Sequence, residues 1–249
     1  MQLIPVSVCA SVPVYNAGAT LFELVERLER TLSRFAEYSI ILVDDGSTDN
    51  SAGMIEQLCK TRPYVAGILL DGNFGQQSAL LCALRHANAD YTVILDDDLE
   101  QDPELILTLY GEMGKGYDAV YGVPESLGKG AFRGIGSRLR DRLFDRITDK
   151  PAGVRVCSFR MMNRETVERI ARADTRFVYI SMELFKHTRN VTSVEVPYGV
   201  SARSGYSAPR LIALLISMYI YYAPRTVCKF LRKTGLCYKI KRTIGQVKA

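Results

Sequence analysis

Several signatures of common enzyme classes are missing from this sequence. It has two histidines, His86 and His187, and no Gly-x-Ser-x-Gly segment, so a hydrolase built on a Ser-His-Asp triad is not supported. Neither a GxGxxG following the first strand-like run nor a GxxxxGK[ST] occurs, which removes the support for a dinucleotide-binding or P-loop protein. The six cysteines (Cys9, Cys59, Cys82, Cys157, Cys228, Cys237) form no C-x-x-C pair and mostly sit in apolar runs. They read as buried, reduced thiols rather than disulfides or a zinc site. A bilayer-spanning helix needs ~20 apolar residues, and the uncharged run Leu211–Ala223 has only 13. No acidic residue follows Glu195, although ten basic ones do, so the last 54 residues carry +10 and the first 195 carry −5. There is no internal repeat and no low-complexity segment.

What is present is a regular alternation. Ile4–Val14 is β-rich and ends in the turn cluster Pro13-Val14-Tyr15-Asn16-Ala17-Gly18. Residues 20–36 place Leu21, Leu24, Val25, Leu28, Leu32 and Phe35 at helical spacing. A short buried strand, Ser39–Val43, runs into Asp44-Asp45-Gly46-Ser47-Thr48-Asp49; a helix to about Lys60 and a strand near Val65–Leu70 follow. Asn73-Phe74-Gly75-Gln76 opens a helix to about Asn88, and Tyr91–Leu95 is the next strand. Short loops between nearly all-apolar strands and amphipathic helices predict an α/β fold, a mostly parallel sheet covered on both faces. Ligands of such sheets bind at the carboxyl ends of the strands. The loops after Val14, Val43 and Leu95 all fall there. Beyond Gly122 the pattern loosens: a Gly-rich basic stretch, 123–136, leads into a charged helix, Ser137–Thr148. A strand is expected over Arg155–Met162 and helices over Asn163–Ala171 and Ile180–His187.

The third loop is chemically the most demanding. Asp96, Asp97, Asp98 and Glu100 crowd four carboxylates into five positions, which repel unless a cation sits among them. If the strand continued, Asp96, Asp98 and Glu100 would point the same way. All-oxygen donors suit Mg²⁺ or Mn²⁺. The bland alternative is an acidic, solvated loop capping the helix that starts at Asp102-Pro103-Glu104.

Together these segments resemble a known family. Pro13-Val14-Tyr15-Asn16, Val43-Asp44-Asp45-Gly46-Ser47-Thr48-Asp49, Asn73-Phe74-Gly75-Gln76 and Asp96-Asp97-Asp98-Leu99 are similar, in order and spacing, to motifs of the family-2 glycosyltransferases with the GT-A fold. Ser158-Phe159-Arg160-Met161-Met162 and Arg203-Ser204-Gly205-Tyr206-Ser207 resemble later landmarks of the polyprenyl-phosphate sugar transferases, the group of dolichol-phosphate mannose synthase and its undecaprenyl-phosphate relatives. The likeness spans about residues 4–225. It implies that Pro13, Tyr15, Val43 and Asp45 line the base and ribose of a nucleotide-sugar, that Asp96 and Asp97 lie near the ribose and diphosphate, and that Asp98 and Glu100 hold the metal. Glu100 replaces the family's usual Gln, and Ala17 a frequent Glu.

The acceptor decides whether a base is needed. A sugar hydroxyl must lose a proton, whereas a lipid phosphate is already anionic and needs cations to hold it. Lys129, Arg133, Arg138, Arg160 and Arg203 follow the carboxylates; Arg133 and Arg203, in Gly-flanked segments, are the favoured catalytic cations, with Arg138 and Arg160 as further contacts to an acceptor phosphate. Glu183 is the one substitute base on offer; otherwise it is an ordinary helix-surface glutamate.

Residues 1–206 are therefore expected to form the GT-A domain, with Asp98, Arg133 and Arg203 central to catalysis. Residues 207–249 are expected to form a basic appendage on an anionic membrane, with Tyr219, Tyr221 and Tyr222 at the interface. The alternative for this segment is a core helix or an oligomer contact followed by a solvated tail. Nucleic acid is not expected, because no binding motif accompanies the charge. No charged-then-apolar leader precedes the first strand, so the expected location is cytoplasmic, peripheral on the plasma membrane. The expected reaction is inverting, metal-dependent transfer of one sugar to a polyprenyl phosphate in cell-envelope glycan synthesis. The rival readings are transfer to a glycan hydroxyl and a catalytically silent nucleotide-sugar-binding scaffold.

Overall fold

The structure is a computed structural model that describes residues 3–125, 150–199, 208–222 and 233–245. Eight strands form one sheet in the order β7-β5-β6-β4-β1-β2-β3-β8. They are β1 (Ile4–Val14), β2 (Phe35–Asp44), β3 (Val65–Leu70), β4 (Tyr91–Ile94), β5 (Ala119–Pro124), β6 (Arg160–Asn163), β7 (Val191–Val196) and β8 (Ile240–Ile244). The central β3-β2-β1-β4 group is parallel throughout, β6 and β8 run antiparallel to their neighbours, and β7 is parallel to β5.

The helices cover both faces, as all-apolar strands require. On one face α1 (Leu21–Leu32), α2 (Ser51–Thr61) and α4 (Ile106–Met113) bury Leu21, Leu24, Leu28, Ile55, Leu58 and Leu109 against the sheet. On the other lie α3 (Gln76–His86), α5 (Arg164–Ala171), α6 (Ile180–His187) and α7 (Ala208–Tyr222). Gly67 of β3 allows this closeness, since a Cβ there would stand 2.3 Å from Ile55 of α2. The described cysteines are all free thiols.

Three expectations are corrected. Phe35 opens β2 rather than closing α1, and it packs edge-on against Tyr110. β6 starts only at Arg160. Most consequentially, the boundary at 206/207 does not separate a domain from an appendage. Ile240–Ile244 returns as the eighth strand of the sheet, paired with β3 from Gly67 to Leu70.

α7 also belongs to the body. Leu214, Met218 and Tyr222, at helical spacing, pack on the core, and Phe177 meets the rings of Tyr221 and Tyr222 at 5.4 and 6.3 Å. Tyr221 and Tyr222 are thus committed to protein contacts, contrary to the interfacial role expected of them. Ala213, Ile216 and Tyr219 face outward, with Ile216 54% exposed. No helix among the described residues is long and apolar enough to cross a membrane.

Candidate active site

The loops after β1, β2, β3 and β4 converge at the carboxyl ends of the parallel strands. Asn16, in the left-handed region at φ 54°, ties the first two together. Its N–H donates to Ser47 Oγ (3.0 Å), and its side-chain oxygen accepts from the N–H groups of Thr48 (2.8 Å) and Asp49 (3.3 Å). Asparagine tolerates this backbone through such local bonds. Gly46 has no such choice: at φ 70° it sits where a Cβ would stand 2.5 Å from the backbone carbon of Gly72.

The four carboxylates divide the work. Asp96 is held by three neutral donors from three segments: Gln76 Nε2 (2.6 Å), Gln101 Nε2 (2.9 Å) and Ser158 Oγ (2.5 Å). Asp97 accepts from the Tyr15 N–H at 2.9 Å, while its carbonyl receives the Thr20 hydroxyl at 2.7 Å. Burial pushes the Asp97 carboxyl up to about 6, and the charges of Asp96 and Asp98 add to the push against the Tyr15 hydrogen bond. The chain then turns through Leu99 at φ 62°, a conformation unfavourable for leucine. This turn replaces the strand-like continuation expected for Asp96, Asp98 and Glu100. It brings the Glu100 N–H onto Asp98 Oδ1 (3.0 Å), leaving Asp98 the most exposed of the three aspartates. Partial desolvation raises the Asp98 carboxyl, and the adjacent Glu100 carboxylate, sharing a hydrogen bond and repelling its charge, raises it further.

Among the described residues no cation is paired with Asp98 or Glu100, and the Glu100 carboxylate destabilises the charge on Asp98. Among the described residues no group of three or more His, Cys, Asp or Glu side chains converges on one point. Two hard oxygen donors match an ion completed by diphosphate and water oxygens, as Mg²⁺ prefers. Bound there, such an ion would offset negative charge developing on a leaving diphosphate.

The other assigned residues distribute unevenly. Tyr15, 49% exposed, lies on the loop after β1 with its N–H on Asp97, and Phe74, 39% exposed, lies on the loop after β3. Val14 and Val43 are fully buried, so Val43 cannot offer its side chain to a ligand as expected. Asp45 departs from its assignment too: it is 3% exposed and both oxygens are taken by Phe74 N–H (2.7 Å) and Gly75 N–H (2.8 Å). It shapes the loop before α3. Pro13 lies within β1, paired with Val43.

Arg160 is corrected as a surface contact for phosphate. It is 2% exposed, donates to Ser181 Oγ at 2.6 Å and lies 5.7 Å from the Tyr121 ring centroid. On β6 it pairs with Ile94, two residues before Asp96. Arg133, Arg138 and Arg203 lie outside the described residues, as does Lys129. The chain on the Arg203 side is described to Gly199, whose N–H donates to the Glu100 carbonyl at 2.8 Å.

Glu183 is neither a surface residue nor a free base. It is 4% exposed, bonded to the Tyr222 hydroxyl (2.8 Å) and to Lys186 Nζ (2.8 Å), with Lys186 also 4.4 Å from the Tyr222 ring centroid. Sequence reasoning quoted Gln76 only as the end of a motif, without a role, and overlooked Gln101, which only its place beside the acidic run could have marked.

Comparison with known proteins fits this geometry. Residues 9–171 match Glycosyl transferase family 2, so the chain belongs to that family and is a glycosyltransferase. Among solved structures, glucosyl-3-phosphoglycerate synthase from Mycobacterium tuberculosis, in complex with phosphoglyceric acid, superposes with a TM-score of 0.63 at 16% identity, covering 97% of this chain and 90% of that one. The same enzyme with Mn²⁺, UDP-glucose and phosphoglyceric acid gives 0.61 at 15% identity, with the same coverage. The mannosyltransferase PcManGT from Pyrobaculum calidifontis, in complex with GDP-Man and Mn²⁺, gives 0.58 at 16% identity over 87% of this chain and 70% of that one. S. aureus TarS residues 1–349 give 0.54 at 15% identity over 80% of this chain, which spans 59% of the TarS chain. At these identities the likeness is one of fold, the GT-A arrangement.

Proposed function

We propose that this protein transfers one sugar, with inversion, from a nucleoside-diphosphate sugar to a polyprenyl phosphate at an anionic membrane surface. On this reading Tyr15 and Phe74, exposed on the loops after β1 and β3, border a mouth that takes the nucleotide, and Asp98 and Glu100 hold Mg²⁺ or Mn²⁺ against its diphosphate. The observation that carries the choice of acceptor is the state of Glu183. A hydroxyl acceptor needs a positioned base, and the one the sequence offered is buried and engaged with Lys186 and Tyr222. A phosphate acceptor needs no base. It needs cations, which the proposal draws from Arg133, Arg138 and Arg203.

The outward apolar side of α7, Ala213, Ile216 and Tyr219, supports contact with lipid, and the ten basic residues after Glu195 support anionic lipid as the partner. The proposed location is accordingly the inner surface of the plasma membrane. The experiment is release of nucleoside diphosphate from a donor panel with Mn²⁺, with and without undecaprenyl phosphate in vesicles, and with phosphoglyceric acid as a soluble control. Release driven by the lipid supports the proposal. Release indifferent to the lipid moves the acceptor to a hydroxyl, and no release with any donor favours a silent binding module.

A further inference from the structure

The described segment from Lys233 to Gly245 is fastened across the fold; it meets the carboxyl end of β3 at Lys239 and runs from there to the amino end of β3 near Val65. The Lys233 carbonyl accepts from Arg176 N–H at 3.1 Å, and Gly235 N–H donates to Asp174 Oδ1 at 2.8 Å. Tyr238 then receives Arg85 of α3 on its hydroxyl (3.0 Å), and β8 adds to β3. Midway along β8, Arg242 reaches Glu56 of α2 at 2.8 Å.

The pairing continues one residue past β3. Asp71 N–H donates to the Lys239 carbonyl at 2.8 Å, and Lys239 Nζ stands 2.6 Å from Asp71 Oδ2. The next four residues, Gly72-Asn73-Phe74-Gly75, are the loop that carries Phe74. Gly72 and Gly75 have φ of 136° and 90°, so the loop has glycine's freedom at both ends. Two clamps oppose that freedom. Asp45 grips Phe74 and Gly75 from the β2 side, and the Asp71–Lys239 junction fixes the approach. Directly after the loop, Gln76 reaches Asp96.

We infer that β8 is a positioning element of the donor site: through Asp71 it fixes the Gly72–Gly75 loop, and with it Phe74 and Gln76, for a nucleoside diphosphate. The inference rests on the donor-site reading of the Tyr15–Phe74 mouth. It changes what the basic terminus is for. Lys239 and Ile240, at the start of β8, act on the nucleotide side of the enzyme, whatever the remaining charges do at a membrane.

Three variants test this. One ends at Tyr238 and keeps the Arg85 contact; the others are Lys239→Ala and Lys239→Arg. Binding of UDP and of GDP is measured by calorimetry with Mn²⁺, and exchange of the Phe74 and Gly75 amides by hydrogen exchange. The truncation is expected to weaken the bound nucleotide roughly tenfold and to speed exchange of both amides by a similar factor. Lys239→Ala, which removes an exposed ion pair but leaves the backbone pairing, should weaken binding about two- to threefold. Lys239→Arg should restore it. Arg242→Ala, farther along the strand and directed to Glu56 of α2, serves as control; it should lower thermal stability without moving nucleotide affinity. Unchanged amide exchange in the truncated, still folded chain overturns the inference, as does a loss of affinity with Arg242→Ala equal to that with Lys239→Ala. If the intact protein binds neither nucleotide, the donor-site reading fails, while the amide exchange still decides whether β8 positions the loop.

Discussion

Aspartates at opposite ends of the sheet live under opposite rules. Asp90, just before β4 at the amino ends of the strands, accepts from Ser7 N–H (2.8 Å) and Ser7 Oγ (2.9 Å) and faces Arg164. These hydrogen bonds hold its carboxyl below the usual range, with Arg164 contributing less. Asp97 and Asp98, a few residues on at the carboxyl end, are pushed the other way by burial and by neighbouring carboxylates, Asp96 and Asp98 for Asp97 and Glu100 for Asp98. One end satisfies its charges and the other accumulates them. Self-repulsion without a compensating cation is costly to a fold, and its concentration where four loops meet marks the site.

The comparison can be broken most severely at Asp98. Asp98→Asn keeps size but removes the charge proposed to bind the metal. Turnover should fall by about 10²–10³-fold, with circular dichroism and melting temperature preserved; substantial remaining turnover would exclude Asp98 from the metal pair. Next in size is Glu183, a satisfied acid buried behind the site. Glu183→Ala strands the Tyr222 hydroxyl and Lys186, and should destabilise the protein by about 2–3 kcal/mol, where a surface glutamate would change stability by under about 0.5 kcal/mol. Chemical denaturation reads the difference.

The two ends then predict opposite pH behaviour. The Asp97 carboxyl is raised to about 6, against about 3.9 in an unfolded chain. Its favourable contribution is therefore complete below about pH 4 and is lost as pH rises through 6. Asp97→Asn, which cannot ionise and can still accept from Tyr15, should be more stable than the wild type at pH 7–8 by up to about 2 kcal/mol. That gain should shrink to nothing near pH 4. The Asp90 carboxyl is lowered, so its contribution is present above about pH 4 and is lost as pH falls through the depressed value. Asp90→Ala should cost about 1 kcal/mol at pH 7, reduced because the ion pair is half exposed, and little in strong acid. Melting curves across pH 3–8 compare the two, and parallel profiles would refute the contrast.

The carboxyl-end loops were readable because their signal is local. All-apolar runs such as Ile40–Val43 and Val93–Leu95 end abruptly in acids and turn residues, and a parallel sheet then brings those ends together. Glu183 was misread because α6 buries six consecutive residues, Ile180–Phe185, so no helical stripe distinguishes its inward side. The alignment of Asp98 with Glu100 depended on a single dihedral, at Leu99, that no residue preference announces. β8 was hidden for the opposite reason. Lys239-Ile240-Lys241-Arg242-Thr243-Ile244 reads as a charged tail when charge is counted, and its pairing with β3 depends on contacts more than 160 residues away in sequence.

That last strand also bears on how the protein behaves in concentrated solution. A sheet ending at β3 would leave the open edge of an entirely buried, apolar strand, Val65–Leu70, as a template for joining other chains. β8 covers that edge and substitutes its own, short and largely exposed, carrying Lys241 and Arg242. Repulsion between such edges disfavours sheet-to-sheet stacking, so the basic terminus also acts as a guard against aggregation.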